Sequence, residues 1–361
     1  MNRRTLLLLG TAAAVAAGAA VLFTPDRIAP STVAGGGAGL AFEGLAARLQ
    51  NAARIEIRKP DGALALLRQG EAWVLPEKGG YPVRPEKVRE LLVGLTELRL
   101  VEPRTADPAQ HDRLGVEDPA RPGSKGVLLR VLDAQGAALV ELVLGRRRVR
   151  TQGNLPEGIY VRRPGEDQAW LAEGRLPADA DPQLWLDRDI ANLPNARIRG
   201  VQVQREGEPA LQLERGDGPE APLRLVQPAG AAPADEVALD EIGRAFEFLT
   251  FLEVKPAAEL PGAPLGESRF ELDDGLSVTA RPQREGELLW LHLGASGGAE
   301  AERLEARWRG WAYQVGVWKE KAFAPRLEDL AVRPANAPSG DAPSADPAML
   351  PAGPSAGDPV R

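Results

Sequence analysis

The strongest constraint on the fold is a short stretch of sequence that occurs twice. Leu95–Pro103 reads LTELRLVEP, and Leu249–Pro256, which begins 154 positions later, reads LTFLEVKP. Each copy ends a segment in which apolar residues recur with the spacing i, i+3, i+4, i+7 and i+10. The positions are Val88, Leu91, Leu92, Leu95 and Leu98 in the first segment and Ile242, Ala245, Phe246, Leu249 and Leu252 in the second. This spacing predicts two helices, each with one apolar face.

The sequence around each predicted helix repeats as well. Alternating segments separated by turns precede the first helix (RIEIR, ALALLR, AWVLP) and the second (GVQVQ, LQLER, LRLVQ). More of them follow the first helix (GVLLRVL, ALVELVLG, GIYVRR, AWLAEG) and the second (SRFEL, LSVTAR, LLWLHLG, WAYQV). Such alternation is typical of antiparallel strands. We predict the α+β class, with two tandem, homologous repeats that each cover an antiparallel sheet with a helix. The alternative is two unrelated units with similar generic patterning.

The length of the chain, 361 residues, exceeds what one compact core usually serves. We expect the first repeat at residues 45–183 and the second at residues 184–332. The stretch LWLDRDIANLP, Leu184–Pro194, is predicted to be a helical joint between them. Residues 24–44 read as a flexible linker, and the Pro/Ala/Gly-rich residues 333–361 read as a disordered tail that buries too little apolar surface to fold.

The amino terminus combines a basic start, residues 1–4, with an uncharged run from Thr5 to Phe23. A helix of that length spans about 28 Å, close to the thickness of the hydrocarbon core of a membrane. We predict a transmembrane signal anchor at residues 5–23; a cleaved signal peptide and a buried helix are the alternatives. The positive-inside rule then predicts a single-pass protein of the bacterial inner membrane whose bulk is periplasmic.

Several motifs together resemble one bacterial family. They are LAARLQNAARIEI, GYPVRPEKVRELLVGLTELRLVEPRT, RLGVEDP, GIYVRRPGEDQAWLAEG and WLDRDIANLP, after a basic start and apolar anchor. The chain is similar here, from about Leu45 to Leu330, to the domain-of-unknown-function family numbered 4340. The resemblance implies an envelope protein with a single anchor, often encoded beside an ABC-2-type transporter and its large auxiliary subunit. It implies no catalytic residues, because none is established for that family.

The chemical inventory of the chain is poor. Cysteine is absent, which excludes disulfides, thiol nucleophiles and cysteine metal sites. Only two histidines occur, so the other common ligand of transition metals is scarce. There is no P-loop, no G-x-S-x-G elbow and no H-E-x-x-H motif. The formal net charge of −7 argues against nucleic acid as a partner. We therefore predict a protein that is not an enzyme and that has no cofactor and no metal site.

A few polar groups are weak catalytic candidates. His111 lies beside Asp112, but adjacent side chains rarely converge on one site, and His292 alternates with leucines on a predicted strand. Acidic pairs occur at Glu117–Asp118, at Asp187 with Asp189, and at Asp273–Asp274. A glycosidase needs two carboxylates across a cleft. A hydrolase is therefore one hypothesis, although turns and helix ends explain each pair more simply.

Two clusters are candidates for binding. The basic cluster comprises Arg146, Arg147, Arg148 and Arg150 and suits an acidic partner, an anionic glycan or lipid headgroups, unless it is a solvated hairpin. The tryptophan cluster comprises Trp308, Trp311 and Trp318 and suits sugar rings or a protein partner, unless it belongs to the core.

The function predicted from these features is that of a non-enzymatic, membrane-anchored periplasmic accessory protein of an ABC-type transport complex. Its expected partners are the cytoplasmic membrane, through residues 5–23, and an ABC permease with its auxiliary subunit. The alternative is a periplasmic module that binds a glycan or peptide in a groove between the repeats.

Overall fold

The computed structural model describes residues 39–148, 157–218 and 220–332. The chain divides into two compact units, and each unit is described by itself. The first unit contains the residues up to Arg188 together with Val254–Pro256. The second unit contains Asp189–Glu253 and the residues from Ala257 onward.

The first unit is built on one antiparallel sheet. Its elements are β1 (Gly39–Leu40), α1 (Leu45–Arg48), β2 (Ala52–Lys59), β3 (Gly62–Gln69), β4 (Ala72–Leu75), β5 (Tyr81–Pro82), α2 (Pro85–Glu97), β6 (Arg99–Pro103), α3 (His111–Leu114), β7 (Val127–Asp133), β8 (Ala138–Arg148), β9 (Gly158–Arg162) and β10 (Ala169–Glu173). Within the described residues the sheet has ten strands in the order β1-β6-β10-β9-β8-β7-β2-β3-β4-β5.

The core of the first unit depends on helix α2, which the sequence predicts correctly. Pro85 occupies the first turn, where its missing N–H costs nothing. The helix buries Val88, Leu91 and Leu95, which are at most 2% exposed. A Cβ at Gly94 would come within 2.5 Å of the Arg175 carbonyl oxygen, so glycine is what lets the helix lie against that backbone.

The second unit follows a similar plan. Its elements are β11 (Asp189–Ala191), β12 (Ile198–Arg205), β13 (Leu211–Arg215), β14 (Leu223–Gln227), α4 (Glu236–Gly243), β15 (Leu249–Thr250), β17 (Gly266–Leu272), β18 (Ser277–Glu285), β19 (Leu288–Ser296), α5 (Gly298–Trp308), β20 (Trp311–Val315) and α6 (Glu320–Phe323), together with the first residue of β16 (Glu253–Pro256), whose other residues are grouped with the first unit. Among the described residues the main sheet has eight strands in the order β14-β13-β12-β17-β18-β19-β20-β16. Strands β11 and β15 form a separate antiparallel pair.

Alternation along the strands separates the core face of the second sheet from its solvent face. Val201 and Val203 are buried, whereas Gln202 and Gln204 between them are exposed. An aromatic cluster fills the core on the buried face. Phe246 packs edge-on against Phe270 and Phe323, with ring centroids 4.8 and 5.2 Å apart. Edge-to-face contacts of this kind add to the free energy gained by burial.

The two main sheets share one strand order. Read along the first sheet, β6-β10-β9-β8-β7-β2-β3-β4 corresponds strand by strand to β16-β20-β19-β18-β17-β12-β13-β14 in the second. The two copies of the repeated stretch end in strands β6 and β16, which occupy corresponding positions in the two strand orders.

The predicted α+β class is wrong. The described residues are mostly antiparallel strand, organised in sheets of ten and eight strands, and the longest helices, α2 and α5, have 13 and 11 residues. Helical periodicity predicts more helix than the structure contains, because turns also bring apolar residues onto the core face with the spacing of a helix. Each helix covers only part of the sheet beneath it.

The second copy of the repeated stretch shows this error most clearly. Helix α4 ends at Gly243, and Leu249–Thr250 form strand β15 instead of a last helical turn. The predicted helical joint at Leu184–Pro194 is also wrong. That stretch follows a 3₁₀ turn, Pro182–Leu184, which the Asp181 carboxylate caps by accepting a hydrogen bond from the Gln183 N–H at 2.9 Å. It then forms β11.

The predicted localisation as a single-pass inner-membrane protein must be corrected as well. In the part of the chain that the structure describes, no helix is both long and apolar enough to cross a membrane. A span needs about 20 apolar residues, and α2 has 13 with charged side chains among them. The predicted anchor at residues 5–23 and the predicted tail at residues 333–361 lie outside the described residues.

The close approach of α2 to Arg175 generates a stability prediction. We expect Gly94→Ala to lower the free energy of unfolding by about 2 kcal/mol, because a backbone carbonyl cannot yield as a side chain can. Chemical denaturation of the full chain measures this change. Gly62→Ala is the matched control, since a Cβ there would meet no atom within 4 Å. Equal stability of the two variants would contradict the packing described for α2.

Candidate functional site

The basic cluster lies at the end of strand β8. Arg146 and Arg147 are exposed and Arg148 is half-buried, while Arg150 lies outside the described residues. The Arg147 guanidinium donates to the Leu176 carbonyl at 2.8 Å. The register between β8 and β9 shifts between Leu144 and Arg147. Part of this cluster is therefore committed to backbone contacts within the first unit.

The tryptophan cluster is divided by the fold. Trp308 is only 1% exposed, and its indole N–H donates to the Ile190 carbonyl at 3.0 Å, so it belongs to the core of the second unit. Trp311 is half-buried at the start of β20. Trp318 is 73% exposed. The structure thus brings one of the three indole rings to the surface.

The histidines occupy structural positions. His111 is buried, and its Nε2 lies 2.8 Å from the Asp167 carbonyl oxygen. His292 is half-buried on β19 opposite Arg281, and burial followed by the charge of Arg281 lowers the pKa of its imidazole. Among the described residues no group of three or more His, Cys, Asp or Glu could hold a metal ion.

The acidic pairs serve turns and ion pairs. Asp118 accepts a hydrogen bond from the Ala120 N–H at 2.9 Å, as expected of a turn. Asp187 is half-buried, and Asp189, the first residue of β11, is exposed. The third pair, Asp273–Asp274, lies at the β17–β18 turn and faces an arginine.

That arginine, Arg197, is the centre of an ionic network. It contacts Glu300 through both terminal nitrogens, at 2.7 and 3.2 Å, and Asp274 at 2.5 Å. The hydrogen bond from Arg197 lowers the pKa of Glu300, and a hydrogen bond from the Leu276 N–H, with help from Arg197, lowers the pKa of Asp274. Such bidentate pairs are among the stronger surface interactions, so these carboxylates fasten the start of β12 to α5 and the turn.

The described part of the second unit also carries a solvent-facing apolar surface that the sequence analysis did not identify. We define it by four side chains, and it is called the apolar surface from here on. Their exposed fractions are 80% for Phe248, 73% for Trp318, 50% for Leu252 and 47% for Val317. Isolated exposed apolar residues are common, but contiguous ones mark interaction sites.

Backbone contacts bring the two segments of the apolar surface together. The Leu252 N–H donates to the Gln314 carbonyl at 2.8 Å, and the Ala257 N–H donates to the Gly310 carbonyl at 2.8 Å. The two segments therefore run antiparallel where these hydrogen bonds join them. A hydrogen bond of 2.9 Å from Lys319 Nζ to the Ala245 carbonyl joins them again.

Local contacts fix the backbone of Phe248 and the ring of Trp318. Phe248 follows the buried Phe246, whose carbonyl accepts a hydrogen bond from the Leu193 N–H at 3.2 Å. The Phe248 N–H donates to the Asn192 side-chain oxygen at 3.2 Å. A Cβ at Gly316 would come within 2.2 Å of the Trp318 ring, so this indole lies directly over the glycine backbone. An indole packed in this way loses little conformational entropy when a partner covers it.

Phe248 is also conformationally strained. Its φ angle is 46°, the one left-handed value recorded for a non-glycine residue in the described part of the chain. For a bulky side chain this region costs about 1–3 kcal/mol. Phe248 directly precedes the second copy of the repeated stretch. The residue that directly precedes the first copy, 154 positions earlier, is Gly94, which packs against Arg175. The position before the second copy thus carries an exposed phenyl ring on a strained backbone, whereas the position before the first copy is a packed glycine.

The charges beside the apolar surface are mostly acidic. Burial lowers the pKa of the Lys319 ammonium below its ordinary value. The nearby carboxylates of Glu247 and Glu241 oppose this shift without cancelling it. Glu247 also accepts a hydrogen bond from the Asn195 N–H at 2.9 Å. Two carboxylates against one ammonium give these three groups a net charge of −1. An apolar centre with a charged rim is the usual composition of a protein interface.

Sequence patterns gave only part of this site. Trp318 was a candidate because of its residue type. The sequence patterns did not indicate Phe248, Leu252 or Val317. Leu252 fits the apolar stripe of the predicted helix, which in the structure ends at Gly243. The pair Phe251–Leu252 held a usable signal, since two adjacent apolar residues on an extended chain must point to opposite sides. Phe251 is buried and Leu252 is half-exposed.

Comparison with known proteins gives one family. The family model described as "Domain of unknown function (DUF4340)" matches residues 73–268, just over half of the chain. No curated protein and no solved structure matches the chain.

The strain at Phe248 generates the next prediction. We expect Phe248→Gly to raise the free energy of unfolding by about 1 kcal/mol, because glycine adopts this backbone conformation freely and the exposed ring contributes little packing. Thermal and chemical denaturation measure the change. Val237→Gly is the control: Val237 is 67% exposed in the first turn of helix α4, where replacing valine with glycine should cost roughly 0.5 kcal/mol. A loss of stability in Phe248→Gly would contradict the strain assigned to this residue.

The Arg197 network generates a pH prediction. The folded pKa of Glu300 lies below its ordinary value of 4.5, so the stability that this pairing gives is present above that pH and is lost as the pH falls through the folded pKa. We expect Arg197→Met to lower stability by about 0.5–1 kcal/mol at neutral pH. Its stability should also fall less steeply than that of the parent between about pH 5 and pH 3. Unfolding curves across this range measure both effects.

The matched control for the pH prediction is Arg199→Met. Among the described residues, the Arg199 guanidinium forms one long ion pair, 4.0 Å from the Asp273 carboxylate. Its acid dependence should follow that of the parent. Parallel pH profiles for the Arg197 variant and the parent would contradict the role given to this network.

Proposed function

Because this chain belongs to the DUF4340 family, we propose that it is a non-enzymatic accessory subunit that docks onto a protein partner through the apolar surface. The partner we propose is the permease, or the auxiliary subunit, of an ABC-type transport complex. The observation that carries the proposal is Phe248, a strained residue whose ring is 80% exposed.

The free energies involved support a binding role for Phe248. A conformation that costs about 1–3 kcal/mol persists where the surrounding structure fixes it, and such residues cluster at functional sites. Within the second unit the exposed ring gains little packing that offsets this cost. A partner that buried the ring would gain roughly 1.5–3 kcal/mol from the apolar area alone.

The composition of the apolar surface supports a protein as the partner. Tryptophan is enriched among the residues that dominate interface energies, and Trp318 is the most exposed tryptophan of the second unit, which also exposes Phe248, Leu252 and Val317. A sugar site needs convergent hydrogen-bonding groups near the ring. Here the nearby Lys319 and Glu247 are instead bonded to the backbone of their own unit.

Site-specific crosslinking in cells of the source organism tests the proposal. A photoreactive phenylalanine analogue placed at position 318 of the full chain should crosslink to the permease or auxiliary subunit of an ABC-type transporter, because the exposed side chain would lie inside the interface. Mass spectrometry identifies the crosslinked protein. Combining the probe with Phe248→Gly should reduce the crosslink at least about tenfold, as expected for loss of an interface anchor.

The control places the same analogue at position 184. Leu184 belongs to the first unit and is 47% exposed, so its apolar character is comparable. The proposal fails if position 318 yields no transporter component, or if Phe248→Gly leaves the crosslink unchanged while the variant folds normally.

A further inference from the structure

A second feature of the second unit, separate from the apolar surface, is a groove along the edge strand β14. Two adjoining cavities of about 550 and 390 Å³ follow this strand. Leu225, Ala232 and Ala234 line both of them, so the cavities form one continuous groove. We call it the edge groove.

One wall of the edge groove is a strand with an open edge. In the described part of the sheet, β14 is the terminal strand and pairs with β13 alone. No backbone hydrogen bond between described residues joins the outer edge of β14 to another segment. The unpaired N–H and C=O groups of such an edge are a template for another extended chain.

The other wall leaves room for an extended chain. It is formed by the segment after β14, with Ala231, Ala232 and Ala234, and by residues 327–331. An isolated bridge between Ala234 and Ala331, together with a hydrogen bond of 2.8 Å from the Asp235 N–H to the Leu330 carbonyl, fastens these two parts to each other. The wall therefore has its own backbone partners and does not depend on β14 for them.

The lining of the edge groove sets the chemistry of a ligand. Its floor is apolar, with Leu225, Leu327 and Leu330. On the rim, Arg326 lies between Glu208 at 3.4 Å and Glu328 at 3.2 Å, and the Glu328 side chain is 75% exposed. The charged residues that line the two cavities are three carboxylates, Glu208, Glu236 and Glu328, and two guanidiniums, Arg224 and Arg326. This lining has a net charge of −1, which favours a basic group on the ligand.

From these features we infer that the edge groove binds an extended peptide segment of a partner protein, which adds to the sheet as a strand beside β14. Main-chain hydrogen bonds to the open edge hold the peptide, and alternate side chains enter the apolar floor. The five residues of β14 span about 17 Å, so about five peptide residues pair with it. The segment carries small aliphatic side chains and a lysine or arginine that faces Glu328.

The test selects peptides on the full chain and then asks how they bind. A phage-displayed library of random linear peptides is selected on the immobilised protein. The most enriched peptide is then synthesised with a fluorescent label, and its affinity is measured by anisotropy. We expect enriched sequences in which small aliphatic residues alternate and at least one residue is basic. Methylation of the peptide backbone nitrogens, one at a time, should abolish binding at every second residue of the core.

Variants of the protein locate the site. Ala232→Trp fills the edge groove and should weaken binding at least tenfold. Ala306→Trp makes the same change at an exposed alanine of helix α5, which lines neither cavity, and should leave the affinity unchanged. Glu328→Lys reverses the rim charge at an exposed side chain and should weaken basic peptides severalfold even if Ala232→Trp folds poorly.

Three outcomes would overturn this inference. Enriched peptides that bind Ala232→Trp and Glu328→Lys as well as the parent would place the site elsewhere. Tolerance of backbone methylation at every position would exclude strand addition. Tighter peptide binding after Leu350→Asp would show that residues 333–361 of this same chain, which begin two positions after Ala331, are the occupant instead of a partner. None of these measurements involves the apolar surface, so this inference and the proposed function fail or stand separately.

Discussion

The antiparallel hydrogen-bond ladder of each main sheet is the constraint on which the rest of the structure depends. It forces successive side chains to opposite faces, so that a strand such as β12 presents one row to the core and another to solvent. In the second unit, Val201, Val203 and Phe270 lie on the core row, and glutamines occupy the opposite face of β12. The helices are secondary to this arrangement, because they cover a face that the ladders have already defined.

The same ladders explain where the two units differ. Both copies of the repeated stretch lead into corresponding strands, β6 and β16. In the first unit, α2 runs to Glu97 and Leu98 is buried. In the second, α4 stops at Gly243, where a Cβ would lie 2.3 Å from the Asn195 side-chain oxygen. The residues that follow then form a turn and a short strand, and this path brings Phe248 and Leu252 to the surface.

The sequence carried enough information for the strands but not for the class or the site. Alternation and turn residues predicted the meanders, and Pro85 with its apolar stripe predicted α2. The second helix was overestimated because Ile242, Phe246 and Leu249 keep helical spacing although a turn, not a helix, brings the last two into the core. Phe248 could not be identified as a surface residue, because a left-handed backbone at phenylalanine depends on contacts with Asn192 that are remote in sequence.

If the proposal is right, a protein partner covers the apolar surface of the second unit in the native complex. Hydrogen–deuterium exchange of the chain, alone and within the complex isolated from its source cells, measures this coverage. We expect slower exchange in the complex for peptides that span residues 245–252 and 314–319, with little change along the solvent face of β12. Equal exchange in both states at residues 245–252 and 314–319 would contradict it.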